Sequence, residues 1–277
     1  MEFLNVSING IDIKKELERI KKNIDVLFLA TEQLADFTED IRNALTEKYI
    51  DFSAYRLSVN AARKTLLIDC YTLSEQLYKE FYYEIIGFNE DEDSMRQVFL
   101  NLKIPRDKFS PNISFESIIK ELTSFNKNFS FFLNKNNEGI EAYTEMVADR
   151  HKYAHANNYN ERTKEDYYTI LYTIEYLAFE FYRFSHKSNI HESLRNYDKI
   201  VKELKSLENI HHLKAKYPEL VKRIREVEDL REFKLPFLLR EKFRVDFFLP
   251  VLSKLTKIEK FELKEELFLE IKSRIQN

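Results

Sequence analysis

The sequence predicts an all-helical protein, and its composition and periodicity both point that way. Of its 277 residues only three are glycine and five are proline, well below average usage. Sandwiches, barrels and phosphate-binding loops place glycine at tight turns, so this scarcity argues against β-rich folds and nucleotide-binding α/β enzymes. Long segments instead repeat apolar residues every three or four positions, which is the period of an amphipathic helix.

Charge, cysteine content and hydropathy narrow the class of protein further. The 44 basic and 47 acidic residues give a formal net charge of −3, so the overall charge does not favour binding to nucleic acid. A local basic cleft that binds nucleic acid is still compatible with this net charge. The single cysteine, Cys70, excludes an internal disulfide and a cysteine-based zinc cluster. No apolar run reaches the roughly 20 residues that span a bilayer, and residues 1–15 lack the apolar stretch of a signal peptide. We therefore expect a soluble, cytoplasmic protein without a metal, a cofactor or a membrane partner.

Helical periodicity dominates the first two thirds of the chain. It predicts helical segments over residues 12–48, 53–86, 114–135, 140–156 and 163–186. The second segment is the most apolar and is expected at the centre of a bundle, with Gly87 as its stop. Ser114 is a candidate N-cap for the third segment, and Thr163-Lys164-Glu165-Asp166 is typical of a capping box.

Two loops are expected between these helices. The acidic run at residues 90–93 could hold a metal ion, but we interpret it as a solvated loop. Residues 104–114 contain Pro105 and Pro111 and are also expected to form a loop.

The sequence pattern changes beyond residue 190, where the predicted helices become shorter and are interrupted by prolines. This change divides the chain into a bundle (1–190) and a C-terminal helical extension (191–277). In the extension, helices are predicted over residues 191–214, 219–234, 237–248 and 257–275, separated by Pro218, Pro236 and Pro250. Residues 199–244 carry 13 basic and 8 acidic residues. This stretch could face RNA or a partner, but we favour a solvated surface with interspersed charge pairs.

Arg150 and His155 stand in the pattern Arg-x-x-x-x-His, with His151 directly after the arginine. The pattern occupies the end of a predicted helix, and Asn157 and Asn158 follow it. On an unbroken helix, five residues at 100° each leave Arg150 and His155 about 140° apart. They can therefore converge only if the helix ends or distorts between them, or if two copies contribute across an interface.

The string Val147-Ala148-Asp149-Arg150-His151-Lys152-Tyr153-Ala154-His155-Ala156 resembles the signature of the HEPN superfamily of helical nucleotide-binding and RNase domains. That signature is an arginine, a polar residue, three to five further residues and a histidine, often preceded by a small residue. The resemblance covers roughly residues 10–190 and implies an up-and-down helical bundle. It also implies an acidic residue on the long central helix, for which Glu75 is the candidate. It does not explain residues 191–277.

The resemblance implies an endoribonuclease that cuts RNA without a metal and leaves 2′,3′-cyclic phosphate ends. Arg150 would bind the scissile phosphate, and His155 would act as general base or general acid. His151, Lys152 and Glu75 would support the site or contact phosphate. Family members build this site at a dimer interface, so the resemblance implies a C2 homodimer. It further implies a toxin or an anti-phage effector that an antitoxin or another regulatory protein could restrain.

Several alternatives stay open. His151 and His155 have the i, i+4 spacing of metal ligands, but no third ligand is evident. The remaining histidines are interpreted as surface or helix-end residues: His186, His191, His211 and His212. Four tyrosines could stack on bases, although their helical spacing favours core packing: Tyr167, Tyr168, Tyr172 and Tyr176.

The mode of regulation and the enzymatic activity itself are also open. HEPN toxins that are paired with nucleotidyltransferase antitoxins usually carry a modified tyrosine two residues after the motif histidine. Here that position is Asn157, and the next tyrosine is Tyr159, which does not favour that scheme. The alternative function is a non-catalytic module that binds RNA, nucleotide or a protein partner. The intact Arg150, His151 and His155 favour the enzyme, whereas the net charge of −3 favours the module.

Overall fold

The prediction of an all-helical protein is confirmed. A computed structural model of the chain describes residues 7–8, 11–87, 95–105, 108–156, 160–186, 190–231, 233 and 235–276. Over these ranges the chain forms twelve α-helices, two short 3₁₀ helices and one small antiparallel pair of strands, β1 (Ser7–Ile8) and β2 (Ile11–Asp12). Among the described residues, no helix is both long and apolar enough to cross a membrane.

The chain divides into two compact units, Glu2–Phe181 and Tyr182–Asn277. The division falls inside a helix, a few residues before the boundary that the sequence analysis places at residue 190. The helices that lie in the first unit or begin there are α1 (Ile13–Asp36), α2 (Thr38–Glu47), α3 (Phe52–Ile85), α4 (Met95–Lys103), α5 (Phe115–Phe125), α6 (Glu138–Ala156) and α7 (Lys164–Ser185).

Helix α3 organises the first unit, since it packs against α1, α2 and α6. Two side-chain contacts show that α1 and α3 run antiparallel. Arg19 of α1 lies 3.5 Å from Asp69 of α3, and the guanidinium of Arg63 lies 4.4 Å from the centre of the Phe28 ring. The core of α3 begins only at Leu66 and continues to Tyr83.

The predicted helix over residues 12–48 is wrong in one respect, because it is two helices. Phe37 leaves helical geometry, with φ −115° and ψ 34°. The hydroxyl of Thr38 donates to the carbonyl of Leu34 at 2.7 Å and so occupies an acceptor at the end of α1. Glu39 and Asp40 then occupy the first turn of α2, where carboxylates are stabilised by the helix dipole.

The predicted helix over residues 114–135 is also too long, because α5 ends at Phe125. The side chain of Asn126 accepts a hydrogen bond from the amide of Asn128 at 3.0 Å, which closes a turn in place of a further helical residue. Helix α4 was not predicted at all, although Met95, Val98, Phe99 and Leu102 have helical spacing.

The predicted helix boundaries that depend on caps are confirmed. Gly87 has φ 65°, the left-handed conformation that ends α3. Ser114 caps α5 by accepting from the amide of Ser117. Thr163 and Asp166 exchange side-chain-to-amide hydrogen bonds at 2.8 and 3.2 Å, which is the predicted capping box. The acidic run at residues 90–93 lies outside the described residues.

The second unit contains α8 (Ile190–Ser206), α9 (Ile210–Arg225), α10 (Phe237–Phe243), α11 (Val245–Thr256) and α12 (Glu265–Gln276). The prediction that Pro218 and Pro250 separate helices is wrong, because each lies inside one. Proline has no N–H group, so the carbonyl four residues before each proline lacks its helical hydrogen bond. Both prolines are exposed, so this carbonyl lies on the side of the helix that water reaches. The apolar stripe of α9 continues past its proline from Tyr217 to Leu220, and its burial offsets the lost hydrogen bond.

Charge pairs are frequent along the basic stretch of residues 199–244. Glu203 accepts from Lys216 at 2.9 Å and from Arg223 at 2.6 Å, and the hydrogen bond from Lys216 is the largest cause that lowers the pKa of Glu203. Arg240 donates two hydrogen bonds to Asp246. These pairs match the interpretation of the stretch as a solvated surface rather than an uncompensated basic patch.

His191, near the start of α8, is expected to make the stability of the protein pH-dependent. Burial, the largest cause, and the charges of Arg183 and Arg195 together lower its pKa to about 4. The unfolded chain binds this proton near pH 6.5, so the free energy of unfolding should fall as the pH drops from about 6.5 to about 4. Urea unfolding across this range should show a shallower fall for His191→Gln than for the wild type. Parallel curves would contradict this assignment.

Candidate functional site

The packing of α3 on α6 places Arg150 and His151 against one aromatic ring. The guanidinium carbon of Arg150 lies 4.8 Å from the centre of the Tyr71 ring. The His151 ring lies 6.3 Å from the same ring at 78°, an edge-on arrangement. Arg150 is half-buried and His151 is exposed, so both remain open to solvent while Tyr71 is buried beside them.

A buried hydrogen-bond chain fixes the register of these two helices. Ser74 of α3 donates to the hydroxyl of Tyr143 on α6 at 2.5 Å, and Tyr143 in turn donates to the carbonyl of Ile113 at 2.9 Å. Burial raises the pKa of Tyr143, so its hydroxyl stays protonated and able to donate. This register brings Tyr71, one turn before Ser74, level with the C-terminal half of α6.

Glu75 belongs to the same neighbourhood. It lies one turn after Tyr71 on α3 and accepts a hydrogen bond from the Ser110 hydroxyl. Burial raises the pKa of Tyr71, the charge of Glu75 raises it further, and the charge of Arg150 lowers it. The structure therefore brings three predicted site residues, Glu75, Arg150 and His151, around a tyrosine that the sequence analysis does not single out.

Lys152, the fourth predicted residue, is turned toward Asp149. Its ammonium lies 3.3 Å from Asp149 Oδ1, and its side chain is 59% exposed. Asp149 itself is buried and also accepts from Arg162 Nη2 at 2.6 Å. Part of the positive charge of Lys152 is thus offset by the Asp149 carboxylate.

The pair of Asp149 and Arg162 is a buried ion pair, with side chains 2% and 4% exposed. Arg162 Nη1 also lies 3.7 Å from the carboxylate of Glu145, while its buried Nε has no hydrogen-bond partner among the described residues. The pair joins α6 to the segment that leads into α7, on either side of residues 157–159. Sequence reasoning missed it, although Asp149 follows the buried Met146 by three residues and so occupies a core position of α6.

His155 lies in the last turn of α6, which continues without a break to Ala156. Its backbone position is therefore about 140° around the helix from that of Arg150. Because the helix neither ends nor distorts between them, the route to convergence within a single chain is removed, and the route across an interface between two copies is left. The side chain of His155, and Asn157 to Tyr159, lie outside the described residues.

The described residues also bear on the metal, thiol and base-stacking alternatives. In the described part of the chain, no group of three or more His, Cys, Asp or Glu side chains is arranged to hold a metal ion. Cys70 is buried, and burial raises the pKa of its thiol to about 12, which disfavours the reactive thiolate. Tyr167 and Tyr176 are core residues, whereas the half-buried Tyr168 and Tyr172 stack on each other at 6.4 Å.

Comparisons of the chain with models of protein families, with curated proteins and with solved structures found no match.

Proposed function

We propose that this protein is a metal-independent endoribonuclease of HEPN type, with Arg150 and His155 as its catalytic residues. The observation that supports the proposal best is the placement of Arg150. Its guanidinium is held against a buried aromatic ring, yet remains open to solvent beside the exposed His151. A fixed and accessible guanidinium is suited to binding two oxygens of a phosphate.

The proposed reaction uses the ribose of the RNA substrate as nucleophile. His155 removes the proton of the 2′-hydroxyl, and the 2′-oxygen attacks the adjacent phosphorus. The bond from phosphorus to the 5′-oxygen breaks, and that oxygen takes up a proton from water, while His155 returns to water the proton that it removed. The products are a 2′,3′-cyclic phosphate and a 5′-hydroxyl. Arg150 stabilises the charge on the phosphate oxygens, and His151, Lys152 and Glu75 support the site.

The proposal includes a C2 homodimer, because an unbroken α6 separates Arg150 and His155 around its axis. A second copy supplies the missing partner: Arg150 of one copy meets His155 of the other across the two-fold axis. The dimer then holds two equivalent sites.

We further propose that the enzyme acts in the cytoplasm as a toxin or an anti-phage effector that cleaves cellular RNA. Such an activity requires restraint, so an antitoxin or another regulatory protein is an expected partner. No membrane partner is proposed.

The test is cleavage of total cellular RNA by the purified protein in excess EDTA, beside His155→Ala. Cleavage by the wild type alone, with 2′,3′-cyclic phosphate ends, is the expected result. Cleavage that needs added metal would instead favour the metal-binding interpretation of His151 and His155. The absence of cleavage by both proteins would favour the non-catalytic binding module, the alternative that the net charge of −3 supports.

Tyr71 is predicted to position Arg150 without touching the RNA. A cation–π contact contributes about 0.5–2 kcal/mol, so Tyr71→Leu should lower kcat/KM for RNA cleavage by roughly 2- to 30-fold. Tyr71→Phe keeps the ring and should remain near the wild-type rate. Equal losses in both variants would indicate that the hydroxyl, rather than the ring under Arg150, is the group that matters.

A further inference from the structure

Residues 26–57 form a helical hairpin that has almost no core of its own. The hairpin, which we call the distal hairpin, comprises the end of α1, all of α2 and the start of α3. All of its residues are described, and Leu34 is the one that is buried. An isolated pair of helices is marginal in water unless an apolar face is covered.

The distal hairpin exposes apolar side chains on its α1 and α3 segments, at Phe37 between α1 and α2, and on the turn between α2 and α3. Tyr49 is 99% exposed and Leu57 is 68% exposed. The full set of large exposed apolar residues is Val26, Leu29, Phe37, Tyr49, Ile50, Tyr55 and Leu57. Together they expose on the order of 800 Å², about what one partner contributes to an interface of standard size. Contiguous apolar patches on monomeric proteins rarely exceed a few hundred Å², so residues that expose this much area within one hairpin are candidates for an interaction surface.

The distal hairpin extends from the end of the first unit that carries the candidate site. Arg63 lies at its base and stacks on Phe28 of α1. Arg63 also donates to the carbonyl of Arg162, and Tyr167 donates to the carbonyl of Arg63. Arg162 is the buried partner of Asp149, the residue before Arg150. The hairpin therefore adjoins Arg162, just before α7, and the first turn of α7.

We propose that the distal hairpin is the surface through which a second copy of this chain binds. The inference rests on the proposed function, which requires a second copy at the end of the unit that carries Arg150 and His155. The hairpin is at that end, and its exposed apolar area is the amount that a dimer of standard size buries on each copy. A two-fold axis beside the hairpin would place α6 of one copy next to α6 of the other.

The test is sedimentation velocity of the full chain over a range of protein concentrations. The wild type should be a dimer, and Leu29→Glu/Leu57→Glu should dissociate about 100-fold more readily, because it places two charges in an apolar interface. The matched control is Phe261→Glu/Leu269→Glu, which changes two apolar residues of the second unit that are at least as exposed as Leu29 and should remain dimeric. Circular dichroism checks that each variant is folded. If the charged variant is unfolded, Leu29→Ser/Leu57→Ser takes its place in the sedimentation experiment.

A wild type that stays monomeric at every concentration would overturn the inference, and so would a hairpin variant that dimerises like the control. An RNA-cleavage assay on the same samples separates this result from the proposed function. If the hairpin variant dissociates but the wild type cuts no RNA, the docking surface stands and the proposed function fails. If the wild type cuts RNA and the hairpin variant stays dimeric and active, the function stands and this inference fails.

Discussion

Replacing Arg150 by alanine is expected to lower kcat/KM for RNA cleavage by about 100- to 1000-fold, the usual loss when a donor to transition-state charge is removed. Arg150→Lys should fall between alanine and the wild type, since an ammonium keeps the charge but not the two-pronged donor geometry. The fold should be retained, because Arg150 is half-buried and its contact with Tyr71 contributes only about 1 kcal/mol.

The matched control for Arg150 is Arg274→Ala, which removes a guanidinium from α12 that is 45% exposed and paired with Glu270. This control should cleave RNA at the wild-type rate. If Arg150→Ala and Arg274→Ala cleaved equally well, Arg150 would have no part in the chemistry. Thermal unfolding of both variants checks that any loss of activity is not a loss of fold.

Replacing Asp149 by alanine is expected to lower the free energy of unfolding by about 3–5 kcal/mol, the second large effect that the structure predicts. Among the described residues, the substitution leaves the buried guanidinium of Arg162 with one carboxylate in reach, that of the exposed Glu145 at 3.7 Å. Because the pair joins α6 to the segment before α7, the loss should also disturb the motif that begins at Arg150. Urea unfolding measures the effect directly.

A double variant separates the loss of the ion pair from the cost of an unpaired charge. Asp149→Leu/Arg162→Met replaces both charges by apolar side chains of similar size, and should recover most of the stability that Asp149→Ala loses. If the double variant were as unstable as the single one, the pair itself would be the source of stability. A loss below about 1 kcal/mol for Asp149→Ala would mean that the pair is hydrated in solution.

The sequence was sufficient for those parts of the fold that depend on local chemistry. Gly87, Ser114 and the Thr163–Asp166 box each act within one turn of helix, and the structure confirms all three. The errors arise where tertiary packing or a single side chain overrides periodicity. The apolar pattern runs through Phe37 although the helix does not, and buried neighbours carry α9 through Pro218.

The residues of the candidate site also differ in how far the sequence alone predicts them. Arg150, His151 and Lys152 are visible in the sequence because they lie in one motif on one helix. Tyr71 is not, because its contact with Arg150 depends on the register of α3 against α6, which the buried Ser74–Tyr143 hydrogen bond sets across 69 residues of chain. Asp149 is a carboxylate at a core position of the predicted helix, but its partner Arg162 lies 13 residues further along the chain, a separation at which periodicity predicts no contact.

The most direct test of the central proposal, a catalytic site shared between two copies, is complementation between inactive variants. Arg150→Ala and His155→Ala are each expected to be inactive, and they are mixed under conditions that exchange subunits and assayed on RNA in excess EDTA. Half of the dimers in an equal mixture are mixed, and each mixed dimer rebuilds one of its two sites, so about a quarter of the wild-type activity should return. A mixture no more active than its separate components would contradict a site shared between copies.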